Sequence, residues 1–122
     1  MTGEPTTTLY RPVGQAELDL IAESGWQRFP PRLEGQPIFY PVLTEEYAAT
    51  IARDWNTNDP NSGCVGYVLR FKVHTAFLDQ YDVQEAGGRD FREYWIPAEE
   101  LEAFNDNIVG RIELVREYKP TD

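Results

Sequence analysis

Apolar and polar positions alternate along some segments of the chain and recur with helical spacing in others. The clearest alternation covers residues 64–73, where apolar side chains at every second position predict a strand. The clearest helix follows Thr44, which is a favoured N-cap residue, and its first turn carries Glu45 and Glu46. The apolar stripe of this helix is Tyr47, Ala48, Ile51, Ala52 and Trp55.

The other elements are shorter, and prolines interrupt several of them. We predict strands over 9–13, 37–42, 89–97 and 111–118, helices over 14–23, after Thr75 and after Pro97, and irregular structure over 83–88. The resulting order is β-α-β-α-β-α-β-α-β. Short, proline-broken strands favour an α+β fold with a small split or mixed sheet over a doubly wound parallel sheet.

Length and composition are those of one globular domain. The 122 residues include 41% hydrophobic and 13% aromatic side chains, enough for a single core. Residues 1–8 are polar and rich in threonine, so we expect a flexible leader there and a single domain over 9–122.

Charge and residue counts exclude several classes of function. A formal net charge of −10 argues against a nucleic-acid backbone or an anionic membrane as the main partner. One cysteine and one histidine make an internal disulfide impossible and a zinc site within the chain improbable on composition, so we expect no metal. No signal peptide or long apolar run is present, and we expect a cytoplasmic protein.

The strand over 89–97 carries the most unusual pattern. Alternation places Phe91, Glu93 and Trp95 on one face of it, so a carboxylate lies between two aromatic side chains. Apolar neighbours desolvate a carboxylate, and a desolvated carboxylate is either paired or used in function. The alternative interpretation places Glu93 at a solvated sheet edge or in a pair with a nearby arginine.

Several motifs, taken in order, resemble those of a known group of proteins. They are Leu-Tyr-Arg at 9–11, Ile-Phe-Tyr-Pro-Val at 38–42, Thr-Glu-Glu-Tyr-Ala at 44–48, Tyr-Val-Leu-Arg-Phe-Lys-Val at 67–73 and Glu-Tyr-Trp-Ile-Pro at 93–97. The chain from about 9 to 118 resembles the small bacterial proteins labelled "ADP-ribosylation/crystallin J1", and more broadly the ADP-ribosyltransferase fold.

The resemblance implies an NAD-dependent ADP-ribosyltransferase that transfers ADP-ribose from NAD or cleaves it. By motif order it places Arg11 and Tyr40 as NAD-binding residues and Glu93 as the catalytic carboxylate. Arg11 would grip a phosphate or ribose, and Tyr40 would pack against the nicotinamide ring. Glu93 would stabilise the cationic sugar as nicotinamide leaves. Arg32, which follows Pro30-Pro31, would be a second anion contact.

Departures from the family pattern keep other interpretations open. Phe91 stands where arginine-modifying members have a second carboxylate or amide, so arginine transfer is in doubt. Arg11 could instead be a surface charge, Tyr40 a core aromatic and Arg32 a solvated loop residue, while Tyr10 and Trp55 are expected in the core. The alternative function is a non-catalytic acidic binding or antitoxin-like module. The acceptor could be protein, nucleic acid, a small molecule or water.

Overall fold

Three antiparallel strands organise the fold, which is described here from a computed structural model covering residues 4–32, 35–60, 63–85 and 91–119. The predicted α+β class is confirmed. The elements are β1 (Thr6–Val13), α1 (Gln15–Glu23), β2 (Ile38–Phe39), α2 (Glu45–Asp54), β3 (Gly66–His74), α3 (Thr75–Leu78), β4 (Val83–Glu85), β5 (Arg92–Tyr94), β6 (Ile96–Pro97), α4 (Leu101–Asp106) and β7 (Ile108–Tyr118).

The main sheet has the order β1-β3-β7, with both pairs antiparallel. Single bridges extend this row of strands, because Val42 pairs with Tyr10 of β1 on one side and with Glu93 of β5 on the other. β5 in turn pairs with β4, and β2 forms a separate ribbon with β6. The side chains of residues directly opposite each other project from the same face of a sheet, so Tyr10, Val42 and Glu93 share one face.

The core lies on both faces of this sheet. On one face, four aromatic rings pack in tilted or edge-to-face pairs around β1 and β3; they are Phe29, Phe39, Phe71 and Phe104. On the other face, α2 packs its alanines against Val42 and Val68. The alternation predicted for β3 is confirmed, since Tyr67, Leu69, Phe71 and Val73 are all buried in the first cluster.

Local signals placed the two longest helices correctly. The Thr44 side chain accepts a hydrogen bond of 3.1 Å from the Tyr47 backbone N–H, as the N-cap prediction requires. α1 begins after Gly14 and ends at Glu23, and Gly25 follows with a left-handed φ of 79°. The helix predicted after Pro97 is confirmed as α4, in which Leu101 and Phe104 are buried.

Other predictions about the elements were wrong. Residues 6–8 are not a leader but the first part of β1, paired with the end of β3. The single strand predicted over 89–97 is divided into β5 and β6, which pair with different partners, and residues 89 and 90 lie outside the described part. Residues 83–85, predicted to be irregular, form β4, while 86–88 also lie outside the described residues. Trp55 is 72% exposed and not in the core.

Gly66 allows β3 to pass very close to α2. A Cβ at this position would lie 2.4 Å from the carbonyl oxygen of Ala52, which is backbone and cannot swing away. We therefore expect Gly66→Ala to lower the free energy of unfolding by about 3 kcal/mol through overpacking. Urea unfolding followed by far-UV circular dichroism would measure the loss.

Gly110→Ala is the matched control for this substitution. Gly110 has φ 78° and no atom within 4 Å of an added Cβ, so only backbone strain of about 1 kcal/mol applies. Equal losses in the two variants would contradict the proposed contact between β3 and α2.

Candidate functional site

The backbone of Glu93 is held from both sides. On one side β5 pairs with β4, which sets Glu93 opposite Gln84. On the other, the Tyr94 N–H donates to the Pro41 carbonyl at 2.9 Å and the Leu43 N–H donates to the Arg92 carbonyl at 3.0 Å. The position of the Glu93 side chain therefore depends on a segment about fifty residues earlier in the chain.

The Glu93 carboxylate is buried, and its hydrogen bonds within the described residues come from neutral donors. It is 7% exposed. The Tyr47 hydroxyl donates to Oε1 at 2.6 Å, and the Trp95 indole Nε1–H donates to Oε2 at 2.7 Å. None of the ion pairs within the described residues includes Glu93. Within the described residues, Glu93 therefore lies neither at a solvated sheet edge nor in a pair with an arginine, so both alternative interpretations were wrong.

Aromatic side chains surround the Glu93 carboxylate. The predicted shared face is confirmed for Trp95, whose indole reaches the carboxylate two residues earlier. Phe91 packs against the Tyr47 ring at 5.1 Å between centroids, edge to face. Burial and the adjoining Glu93 carboxylate raise the pKa of Tyr47 to about 12, so its hydroxyl remains a donor at neutral pH.

Three of the four predicted site residues line one cavity. Its volume is about 300 Å³, and its walls include Arg11, Tyr40 and Glu93. The remaining lining residues are Pro12, Val42, Tyr47 and Ile51. Tyr40 is 41% exposed, so the core-aromatic interpretation of this residue was wrong. The structure thus brings these residues together, while their roles stay predictions.

Arg11 lies in the same cavity wall, but its guanidinium is engaged elsewhere. Alternation along β1 turns it to the face opposite Tyr10, where it lies 4.5 Å above the Phe39 ring. Its Nε and a terminal nitrogen donate to the two oxygens of Glu17 at 2.6 and 3.0 Å. With 8% exposure, Arg11 is not the surface charge of the alternative interpretation.

Arg32 belongs to a second cavity, of about 410 Å³, which adjoins the first at Arg11 and Pro12. Its guanidinium carbon lies 6.0 Å from the centre of the Phe39 ring, and its Nε is buried without a hydrogen-bond partner among the described residues. Burial, and then the charge of Arg11, lowers its pKa from the usual value. Arg32 is therefore not a freely solvated loop residue, and it does not line the Glu93 cavity.

A buried amide fixes the loop that carries Arg32. The Asn105 side chain accepts from the Phe29 N–H at 2.9 Å and donates to the Phe29 carbonyl at 3.0 Å. Asn105 is 4% exposed, so both bonds are shielded from water. Asn105 was not singled out from the sequence.

The sequence also missed the partners of the two charged groups. Tyr47 was assigned only to the apolar stripe of α2, and Phe39 only to a short strand. Glu17 was not singled out, although its place in the first turn of α1 sets it close to the end of β1. Trp95 alone had a usable signal, since residues at i and i+2 share a strand face.

Comparison with known protein families gives no match to any family model, and comparison with curated protein sequences gives no significant match. The described residues contain no cluster of three or more His, Cys, Asp or Glu side chains arranged for a metal ion. No helix in the described part of the chain is long and apolar enough to cross a membrane.

The bond between Tyr47 and Glu93 predicts a loss of stability at alkaline pH. Folded Tyr47 keeps its proton up to about pH 12, whereas a tyrosine in the unfolded chain loses it near pH 10. Between these values the unfolded state binds fewer protons, so the free energy of unfolding falls as pH rises. Urea unfolding at pH steps from 8 to 11 would measure this slope.

Tyr47→Phe is expected to make that slope shallower without abolishing it. Burial and the hydrogen bond to Glu100 also raise the pKa of Tyr81, so Tyr81 contributes to the same fall in the free energy of unfolding. A slope unchanged in Tyr47→Phe would show that the hydroxyl proton of Tyr47 is not held in the folded state as described.

Proposed function

We propose that the protein binds NAD and transfers ADP-ribose from it, or cleaves it, with a fold of the ADP-ribosyltransferase type. The observation that carries this proposal is a buried carboxylate at an open cavity, with Arg11 and Tyr40 in the same walls. A buried carboxylate without a cationic partner is costly to maintain, and such groups concentrate at functional sites.

Glu93 is suited to stabilise positive charge. As the bond between nicotinamide and ribose breaks, the ribose becomes cationic, and a fixed carboxylate in a low-dielectric site favours that state. The donors Tyr47 and Trp95 hold both oxygens in place, so little reorganisation is needed. NAD supplies its own leaving group, so neither a metal nor a protein nucleophile is required by this chemistry.

The two adjoining cavities match the two ends of a dinucleotide. The Glu93 cavity would hold the nicotinamide and its ribose, with Tyr40 against the ring. The second cavity would hold the diphosphate near Arg11 and Arg32, since guanidinium groups bind phosphate oxygens strongly. Arg11 lines both cavities and would lie between the two halves of the ligand.

A second candidate is a binding module without chemistry. Arg11 and Glu17 form a bidentate ion pair and Glu93 accepts two hydrogen bonds, so these three groups have partners before any ligand arrives. A site in that condition can retain a ligand or a protein partner without turnover. The two functions differ in a single measurement, the release of nicotinamide.

Glu93→Gln tests catalysis directly. We expect the wild type to release nicotinamide from NAD, detected by chromatography, and the variant to lose about 100-fold or more of this rate, because the charge facing the cationic sugar is removed. Glu99→Gln, at an exposed position, is the control and should match the wild type. Binding of NAD without nicotinamide release by the wild type would favour the module.

Arg32→Gln tests the placement of the diphosphate. We expect NAD affinity, measured by calorimetry, to fall about tenfold, because a charge-assisted contact to phosphate is removed. Arg111→Gln, which removes an exposed arginine elsewhere, should leave the affinity unchanged. An affinity equal to that of the wild type in Arg32→Gln would place the diphosphate outside the second cavity.

A further inference from the structure

We infer that the Glu93 cavity is a binding site for a small alkylated ammonium cation, independent of any dinucleotide. The first ground is charge. Glu93 is buried with no cationic partner among the described residues, and its hydrogen bonds come from an uncharged hydroxyl and an uncharged indole. A cation placed in the cavity would supply the missing opposite charge in a medium of low dielectric.

The second ground is that Arg11 does not supply that charge. Although Arg11 lines the cavity, its guanidinium lies over Phe39 and is held by both oxygens of Glu17. Arg11 and Glu17 together carry no net charge, so the cavity retains the single negative charge of Glu93. The net charge of −10 on the whole chain adds a field that attracts cations.

The third ground is the chemistry of the walls. Tyr40 and Tyr47 supply aromatic rings, which attract cations through their electron-rich faces. Pro12, Val42 and Ile51 supply apolar surface. N-methyl groups suit such walls better than bare N–H groups, because an N–H group facing apolar surface finds no hydrogen-bond acceptor there.

The hydrogen bonds on Glu93 also argue for alkylated ammonium over guanidinium. A guanidinium gains most from a carboxylate with two unoccupied oxygens that can receive paired N–H groups. Here Tyr47 and Trp95 already occupy one position on each oxygen. A quaternary ammonium needs no hydrogen bonds and can approach by charge and ring contact alone.

Choline is the probe that tests this inference. Its binding to the ¹⁵N-labelled protein would be followed through the indole Nε1–H resonance of Trp95, because this group donates a hydrogen bond to Glu93. The resonance would be assigned by its absence in Trp95→Phe. We expect a saturable shift. The uncharged isostere 3,3-dimethyl-1-butanol should bind at least about tenfold more weakly, since it keeps the shape and lacks the charge.

Two variants locate the site. Glu93→Gln should weaken choline binding at least about tenfold, and Tyr40→Ala, at an exposed position that the core does not need, should weaken it about fivefold. Glu99→Gln should leave it unchanged. Equal binding of choline and its isostere, or unchanged choline affinity in both Glu93→Gln and Tyr40→Ala, would overturn the inference.

Arg32→Gln separates this inference from the proposed function. Arg32 lies in the second cavity, so its loss should weaken NAD and leave choline binding unchanged. Choline binding by a protein that does not bind NAD would support the cation site and end the dinucleotide proposal. NAD binding without any choline-induced shift would support the dinucleotide proposal and overturn the cation site.

Discussion

A carboxylate that is 7% exposed and lacks a cationic partner among the described residues is the constraint on which this site depends. Removing a charge from water costs several kcal/mol even after the surroundings relax. Hydrogen bonds from Tyr47 and Trp95 offset part of that cost, because bonds to an ionised acceptor are stronger than neutral ones. Both donors are aromatic, so the groups that hydrogen-bond to the carboxylate also cover part of it.

Strand alternation explains why the nearest arginine does not neutralise this acid. Val42 stands between Tyr10 and Glu93 in one row across the sheet, which puts all three side chains on the face covered by α2. Arg11 is the next residue after Tyr10 and therefore turns to the opposite face, towards α1. There Glu17 and Phe39 hold it. Arg11 therefore forms its ion pair with Glu17 and not with Glu93, although both arginine and acid line the same cavity.

Local signals in the sequence predicted α2 and β3 well, because the causes of these two elements are local. Thr44 caps α2 through a bond to a residue three positions later, and alternation along β3 follows from strand geometry alone. The division of the strand over 89–97 has a non-local cause, since the Pro41 segment pairs with β5 and β2 pairs with β6. Strand alternation predicted the desolvation of Glu93, which is buried, whereas Arg11 was singled out by family resemblance and its burial was not predicted.

The Tyr47–Glu93 and Phe29–Asn105 contacts could not be predicted, because each joins distant parts of the chain. Tyr47 and Glu93 are 46 positions apart, and Phe29 and Asn105 are 76 apart. Nothing in the spacing of these residues distinguishes them from ordinary members of an apolar stripe or a helix end. Trp55 shows the opposite failure, since helical periodicity predicted burial and the helix ends with that ring in solvent.

The two cavities differ in electrostatic character, and this difference would set the orientation of a bound ligand. The Glu93 cavity retains one negative charge, while the second cavity is lined by Arg32 and Asp59 together with the neutral pair of Arg11 and Glu17. A ligand with a cationic group at one end and an anionic group further along could place the first at Glu93 and the second at Arg32 in a single orientation. Oxidised NAD has this polarity, with a pyridinium ring at one end and a diphosphate beyond it. A small ammonium cation has only the first feature and would occupy only the first cavity. One carboxylate held by two neutral donors therefore accounts for both proposed ligands, and the placement of Arg32 accounts for the difference between them.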